Sequence, residues 1–321
     1  MSSLIDLFKE ALFYPTKDYK ALLIFGLIFI IADLQSIFRS WHINVNPSMI
    51  AICGFITFIF YFVIQGYLLS ALRETINSSD EIPSLSILSN FMDGLQLLVV
   101  KIVYYILPTI FVLFVGWASG TFSSLMKIVR LVGRDVVNTT VNATAMAHSV
   151  PHEYYVALFN GLMITGAVAF ILYILFELLT EIAKCRLAKY NEMGEALKIK
   201  EVFADIKTIG VGRFIVWYLA LVIITLLFAF IIRFVSAIPY VGILIAFLIG
   251  TPFIALFGAR ALGNLYNNVD KDVWLKFSII WNNYFLIIFF LFFYFHSFWI
   301  LFPDLKSLTM LHFIYLKLDK Y

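Results

Sequence analysis

The chain has 321 residues, 62% of them hydrophobic and 13% charged, with a formal net charge of +3. A soluble domain carries about a quarter of its residues as charges. So much apolar surface cannot be buried in the core of one water-soluble domain, which excludes a soluble enzyme. No Lys/Arg cluster interleaved with aromatics occurs, which excludes nucleic acid as a partner.

In chain order, residues 4–13 place Leu4, Phe8, Ala11 and Leu12 on one helical face against Asp6, Lys9 and Glu10. Tyr14-Pro15 ends that helix, which is expected to lie in the membrane plane. A first span follows near 20–38, with no cleavable leader before it. Asp33 sits deep in this span and is expected to pair with a cation or amide such as Arg39, to face water, or to serve an ion relay. A second span near 49–72 ends at Arg73. The stretch RETINSSDEIP then turns the chain, with Asp80 and Glu81 expected as solvated turn residues. From Ser84 a second in-plane helix is predicted, with Leu88, Phe91, Met92 and Leu95 opposing Ser89, Asn90 and Asp93.

The third span, near 95–118, carries Lys101 and Pro108. An outer loop, 119–154, contains two glycosylation sequons at Asn138 and Asn142. His148, His152 and Glu153 have a metal-like spacing, but Pro151 prevents one helix from aligning the rings, so no metal is expected. In the fourth span, near 155–180, Glu177 and the adjoining Glu181 are expected to meet Lys184 and Arg186. A third amphipathic helix over 195–209 leads to a fifth span near 211–235, with Arg213 at its start. The sixth, near 239–262, contains Gly250-Thr251-Pro252, read as a kink, and Arg260. Residues 268–321 read as an extension, with Val273, Trp274 and Phe277 on an apolar face and a seventh span near 277–300. Asn282, Asn283 and His296 interrupt that span, so six is the alternative count.

The expected fold is an all-α polytopic transmembrane bundle with interfacial amphipathic helices and an internal parallel repeat, one family-like membrane domain occupying 1–267. Phe91, Asp93 and Lys101 recur at one constant offset as Phe203, Asp205 and Arg213, Arg73 maps approximately onto Arg186, and Arg260 closes the sixth span similarly. A cytoplasmic N-terminus places most of the Lys and Arg on the inner side. Lys101 and Arg213, about two turns inside their spans, are expected to snorkel toward inner headgroups. With Arg73, Arg186, Arg260 and Asp33 they form the set of candidate lipid-headgroup or pathway residues. Cys53 and Cys185 define neither a disulfide nor a metal pair, and no cofactor or catalytic motif occurs.

Tyr14-Pro15-Thr16-Lys17-Asp18, Gly66-Tyr67-Leu68-Leu69 before Arg73, and Asn77 followed by Asp80-Glu81-Ile82-Pro83 carry a resemblance. So do Phe91-Met92-Asp93-Gly94, Gly212-Arg213 with Trp217, Thr251-Pro252 and Ala259-Arg260-Ala261-Leu262. At these residues, over about 1–267, the chain resembles the uncharacterised archaeal membrane family called domain of unknown function number 4013. The resemblance implies a multi-pass protein of the cell membrane and brings no catalytic assignment. The expected function is non-enzymatic, organising the membrane through lipid or protein partners. A transporter for a small solute or lipid is the alternative, and a membrane-lipid enzyme ranks third.

Overall fold

The computed structural model describes residues 3–138 and 151–267, with backbone alone over 132–138. Among these residues every regular element is helical. That is the arrangement hydrocarbon demands, because no water is there to satisfy open backbone groups. The chain divides into two compact units, Met1–Lys271 and Asp272–Tyr321. The second unit lies outside the described residues, and with it the segment near 277–300 and the face formed by Val273, Trp274 and Phe277.

Among the described residues, five helices are long and apolar enough to cross a membrane, or six if a bent pair counts as one span. The first helix, α1 (Leu4–Phe13), begins with a capping box: Ser3 Oγ accepts from the Asp6 amide at 3.2 Å, and the Asp6 carboxylate accepts from the Ser3 amide at 2.9 Å. A 3-10 turn, Tyr14–Thr16, leads to α2 (Tyr19–Ala32), whose N-terminal amides on Lys20 and Ala21 donate to Asp18 Oδ1.

The straight first span expected near 20–38 is instead broken. α2 and α3 (Leu34–Ser40) meet at Asp33 with a bend of 73°. Asp33 leaves helical geometry at φ −125°, and its Oδ1 accepts from Ser36 Oγ at 2.6 Å. A short carboxylate side chain competing for local donors is the physical cause of such a break. Its partner is therefore Ser36 rather than Arg39.

Asn46 and Pro47 start α4 (Pro47–Ile76) with a side-chain cap and a ring fixed at the first helical position. Next comes α5 (Ile87–Ala118), and here a second expectation is corrected. No separate in-plane helix starts at Ser84; the amphipathic stretch is the first part of one uninterrupted 32-residue helix beginning at Ile87. Gly94, which could have ended it, is needed for packing. A Cβ on Gly94 would lie 2.0 Å from the Phe62 carbonyl oxygen, and one on Gly66 would lie 1.7 Å from that of Asn90. Each of the two helices thus offers a glycine to the other's backbone, the small-residue contact that holds membrane helices at close range.

Gly120, at φ +75°, turns the chain sharply into α6 (Thr121–Asn138). The described part of the expected outer loop is therefore largely helical. It docks on α7 (His152–Tyr190), where Gly161 admits Thr121, and the hydroxyls of Ser119, Thr121 and Thr165 form a triangle with sides of 2.7, 3.1 and 3.1 Å. Asn138 is the last residue of α6, whereas Asn142 and His148 lie outside the described residues.

Asn191 in left-handed geometry (φ 54°) ends α7. Two short helices, α8 (Met193–Ala196) and α9 (Ile199–Ile209), precede α10 (Val211–Ser236). The last described span comprises α11 (Val241–Ile245), a π-helical turn over Ala246–Gly250 and α12 (Thr251–Asn267). The expected kink at Gly250-Thr251-Pro252 is this turn, and Thr251 Oγ1 donates to the Ala246 carbonyl at 3.1 Å, the same carbonyl that accepts from the Thr251 amide. Two apolar clusters form the core, one around Phe214, Trp217 and Phe257, the other around Tyr14, Phe25 and Tyr67.

Candidate functional site

Three arginines stand at the ends of α4, α7 and α12. Arg73 Nη1 is 3.2 Å from Asp93 on α5. Arg186 reaches Asp205 on α9 and Glu195 on α8, each at 2.9 Å. Arg260 reaches Glu10 on α1 at 2.6 Å and also binds Asp80. In each case the arginine closing one hairpin of spans pairs with a carboxylate on the amphipathic segment that opens a hairpin, and the third pairing returns to the first. The sequence repeat is thus an ion-pair repeat that closes on itself.

Asp80 and its neighbours are more than the solvated turn expected from sequence. Lys17 Nζ is 2.9 Å from the Asp80 carboxylate, and Arg260 Nη1 donates to the Ser79 carbonyl at 2.6 Å. The Tyr14 hydroxyl donates to the Glu81 carbonyl at 3.0 Å, and that of Tyr67 to the Pro83 carbonyl at 2.9 Å. Burial pushes the Tyr14 hydroxyl up to about 12, so it stays a donor in neutral solution. The turn therefore fastens α1 to the ends of α4 and α12. The Lys17 hydrogen bond, aided by the nearby Arg260 charge, holds the Asp80 carboxyl below its ordinary 3.8. A depressed carboxylate stabilises the folded state above its unfolded pKa, and this is lost as pH falls through the folded value. Thermal melts in detergent across this range should show wild type losing stability more steeply than Asp80→Asn below about pH 4; parallel curves would exclude the latch.

Deeper among the spans lies a second charged group. Lys101 Nζ donates to Gln65 Oε1 at 3.2 Å. Lys184 Nζ lies 2.5 Å from Glu181 and 4.0 Å from Glu177, and Glu177 also accepts from the Tyr105 hydroxyl. The predicted meeting of Glu177 and Glu181 with Lys184 occurs, but Arg186 turns the other way, to Glu195 and Asp205. Arg213 lies in the first turn of α10, whereas Lys101 sits well inside α5, because in α5 the amphipathic stretch is fused to the span. Asp33 stays at the α2–α3 bend. Among the described residues no group of three or more metal-ligating side chains occurs.

The charged group borders a cavity of about 400 Å³ among α4, α7, α10 and α12, with Leu97 of α5 also in its wall. Its walls are mainly leucine, isoleucine, valine and alanine, including Leu68, Leu221 and Ile254. Gln65, Glu181, Lys184 and Tyr218 are the polar groups that argue for a site. Sequence reading singled out neither Gln65 nor Tyr218. Gln65, an amide inside the apolar run of α4, was a legible signal, since a polar side chain in a span is expensive unless used.

The family model described as Protein of unknown function (DUF4013) matches residues 49–239, more than half of the chain. The chain belongs to this family. The DUF4013 match covers α4 to α10, including Gln65, Lys101, Glu177, Glu181, Lys184 and Tyr218, and is narrower than the 1–267 of the sequence resemblance. Glu10 and Arg260, which close the set of ion pairs, lie outside it. No curated protein and no solved structure matches the chain.

Proposed function

We propose that this member of the DUF4013 family is a non-enzymatic membrane component that binds membrane lipid and organises its surroundings by doing so. In this reading it is a multi-pass protein of an archaeal cell membrane, with the N-terminus and the arginine-bearing helix ends in the cytoplasm. The supporting observation is the cavity among α4, α7, α10 and α12, apolar along most of its wall and polar where Gln65, Glu181, Lys184, Tyr218 and Thr225 reach it. Such a lining suits a hydrocarbon chain with a polar terminus. A hydrated solute would lose its water there without replacement partners, which weighs against the small-solute form of the transporter alternative. Transport of a lipid draws support from the buried charges on α5 and α7, since ionisable groups among spans commonly mark pathways.

Gly258 supplies the test. A Cβ built there meets nothing within 4 Å, although Gly258 lines the cavity. Gly258→Leu is therefore expected to fill the cavity while leaving the fold intact, and to lower co-purifying lipid about tenfold or more in native mass spectrometry. Wild-type lipid content in a normally folded variant would remove the proposal.

A further inference from the structure

The polar border of the cavity is balanced in charge, and that balance bears on what enters it. Lys101 and Lys184 supply two cations, and Glu177 and Glu181 two carboxylates. Glu181 and Lys184 line the cavity themselves; Lys101 acts from behind Gln65, and Glu177 from behind Lys184. We infer that the cavity takes a lipid chain ending in an uncharged polar group, a hydroxyl or an amide, in preference to one whose end bears net charge. This rests on the lipid-binding reading above and deepens it by naming the ligand class.

The reasoning is electrostatic. A phosphate or carboxylate entering the cavity would shed its hydration beside a border already neutral, leaving one uncompensated negative charge among apolar helices. An ammonium group would leave one uncompensated positive charge. A hydroxyl adds no charge and finds partners of both kinds: it can donate to Glu181 and accept from Lys184. Tyr218 adds a further partner, because its hydroxyl borders the cavity and makes no hydrogen bond among the described residues. Lys184 lies close to both glutamates, so its charge is not free to neutralise an incoming anion. Rearranging that set would strand a glutamate in the same low-dielectric surroundings.

Three probes of equal chain length decide the matter: hexadecanol, hexadecyl phosphate and hexadecylamine, bound to the full chain in nanodiscs and measured by competition against a fluorescent long-chain alcohol. Gly258→Leu serves as the blocked control for partition into the bilayer. In wild type the alcohol should bind about tenfold or more tightly than either charged probe. Glu177→Gln leaves an excess cation behind the cavity wall, and the preference should move toward the phosphate. Lys101→Gln leaves an excess carboxylate, and it should move toward the amine. Neither substitution changes a residue that lines the cavity.

Tightest binding of the phosphate or the amine to wild type would overturn the choice of an uncharged head while leaving a lipid site in place. Unchanged preference in a folded Glu177→Gln or Lys101→Gln variant would overturn the charge-balance argument in the same way. If none of the probes binds wild type above the Gly258→Leu control, the lipid-binding reading itself fails.

Discussion

Arg186→Met is expected to destabilise the bundle by about 1–3 kcal/mol, the range for leaving hydrogen-bonded groups without a partner. Arg186 is only 4% exposed, and it holds more than one group. Its Nε donates to the Glu195 carbonyl at 3.0 Å, its two terminal nitrogens bind Glu195 and Asp205, and its guanidinium lies 5.1 Å from the centre of the Tyr190 ring. Methionine keeps much of the volume but leaves Asp205 without a cation and Glu195 with Lys198 alone, the two carboxylates being 25% and 23% exposed. The Tyr266 hydroxyl, which donates to Asp205 at 2.9 Å, only partly compensates. Equilibrium unfolding in mixed micelles measures the loss. Adding Asp205→Asn should restore part of it, because the stranded charge disappears. A single-variant loss below about 1 kcal/mol would mean that this ion pair does not hold α8 and α9 to α7.

Gly66→Ala is the second large effect, about 2 kcal/mol or more of destabilisation, at the upper side of what overpacking gives. The neighbour that the new methyl would meet is a backbone carbonyl, that of Asn90, which cannot rotate away as a side chain can. Relief requires α4 and α5 to separate, and separation also loosens the reciprocal contact at Gly94. The contrast is Gly258→Ala, in open space on a helix, which should be neutral or stabilising by up to about 1 kcal/mol through helix propensity. Thermal midpoints of the two variants should therefore move in opposite directions. A shared direction and size would show that the α4–α5 approach is looser than the described geometry.

The spans were legible because hydropathy and length suffice to find a helix that must satisfy its own backbone. The breaks inside them were less legible. Asp33 was recognised as anomalous, but its effect on the chain, a bend rather than a pairing with Arg39, depends on Ser36 standing one turn ahead. The amphipathic residues ahead of the third span were assigned to a separate in-plane helix on their opposed apolar and polar faces. The close approach of Gly94 to the Phe62 carbonyl, which ties this stretch to α4, involves a partner that no local pattern contains. Asp80 was assigned to water for a similar reason, since its partners, Lys17 and Arg260, are remote in sequence. The cavity was the least legible of all. It is an absence of side chains among helices remote in sequence, and Gly258, which helps create it, resembles any other glycine in a helix.

The contact between Arg260 and Glu10 has a consequence for how the chain is made. Helix α1 holds a carboxylate whose partner is 250 residues further along the chain. Spans inserted in order would complete the Arg73–Asp93 and Arg186–Asp205 contacts as they emerge, whereas α1 and the turn at Asp80 must wait for the sixth. Until then those carboxylates remain hydrated beside the membrane, and the opening segment has no fixed seat. Helix α1 is thus synthesised before the helix it docks on and locked only once α12 is in place.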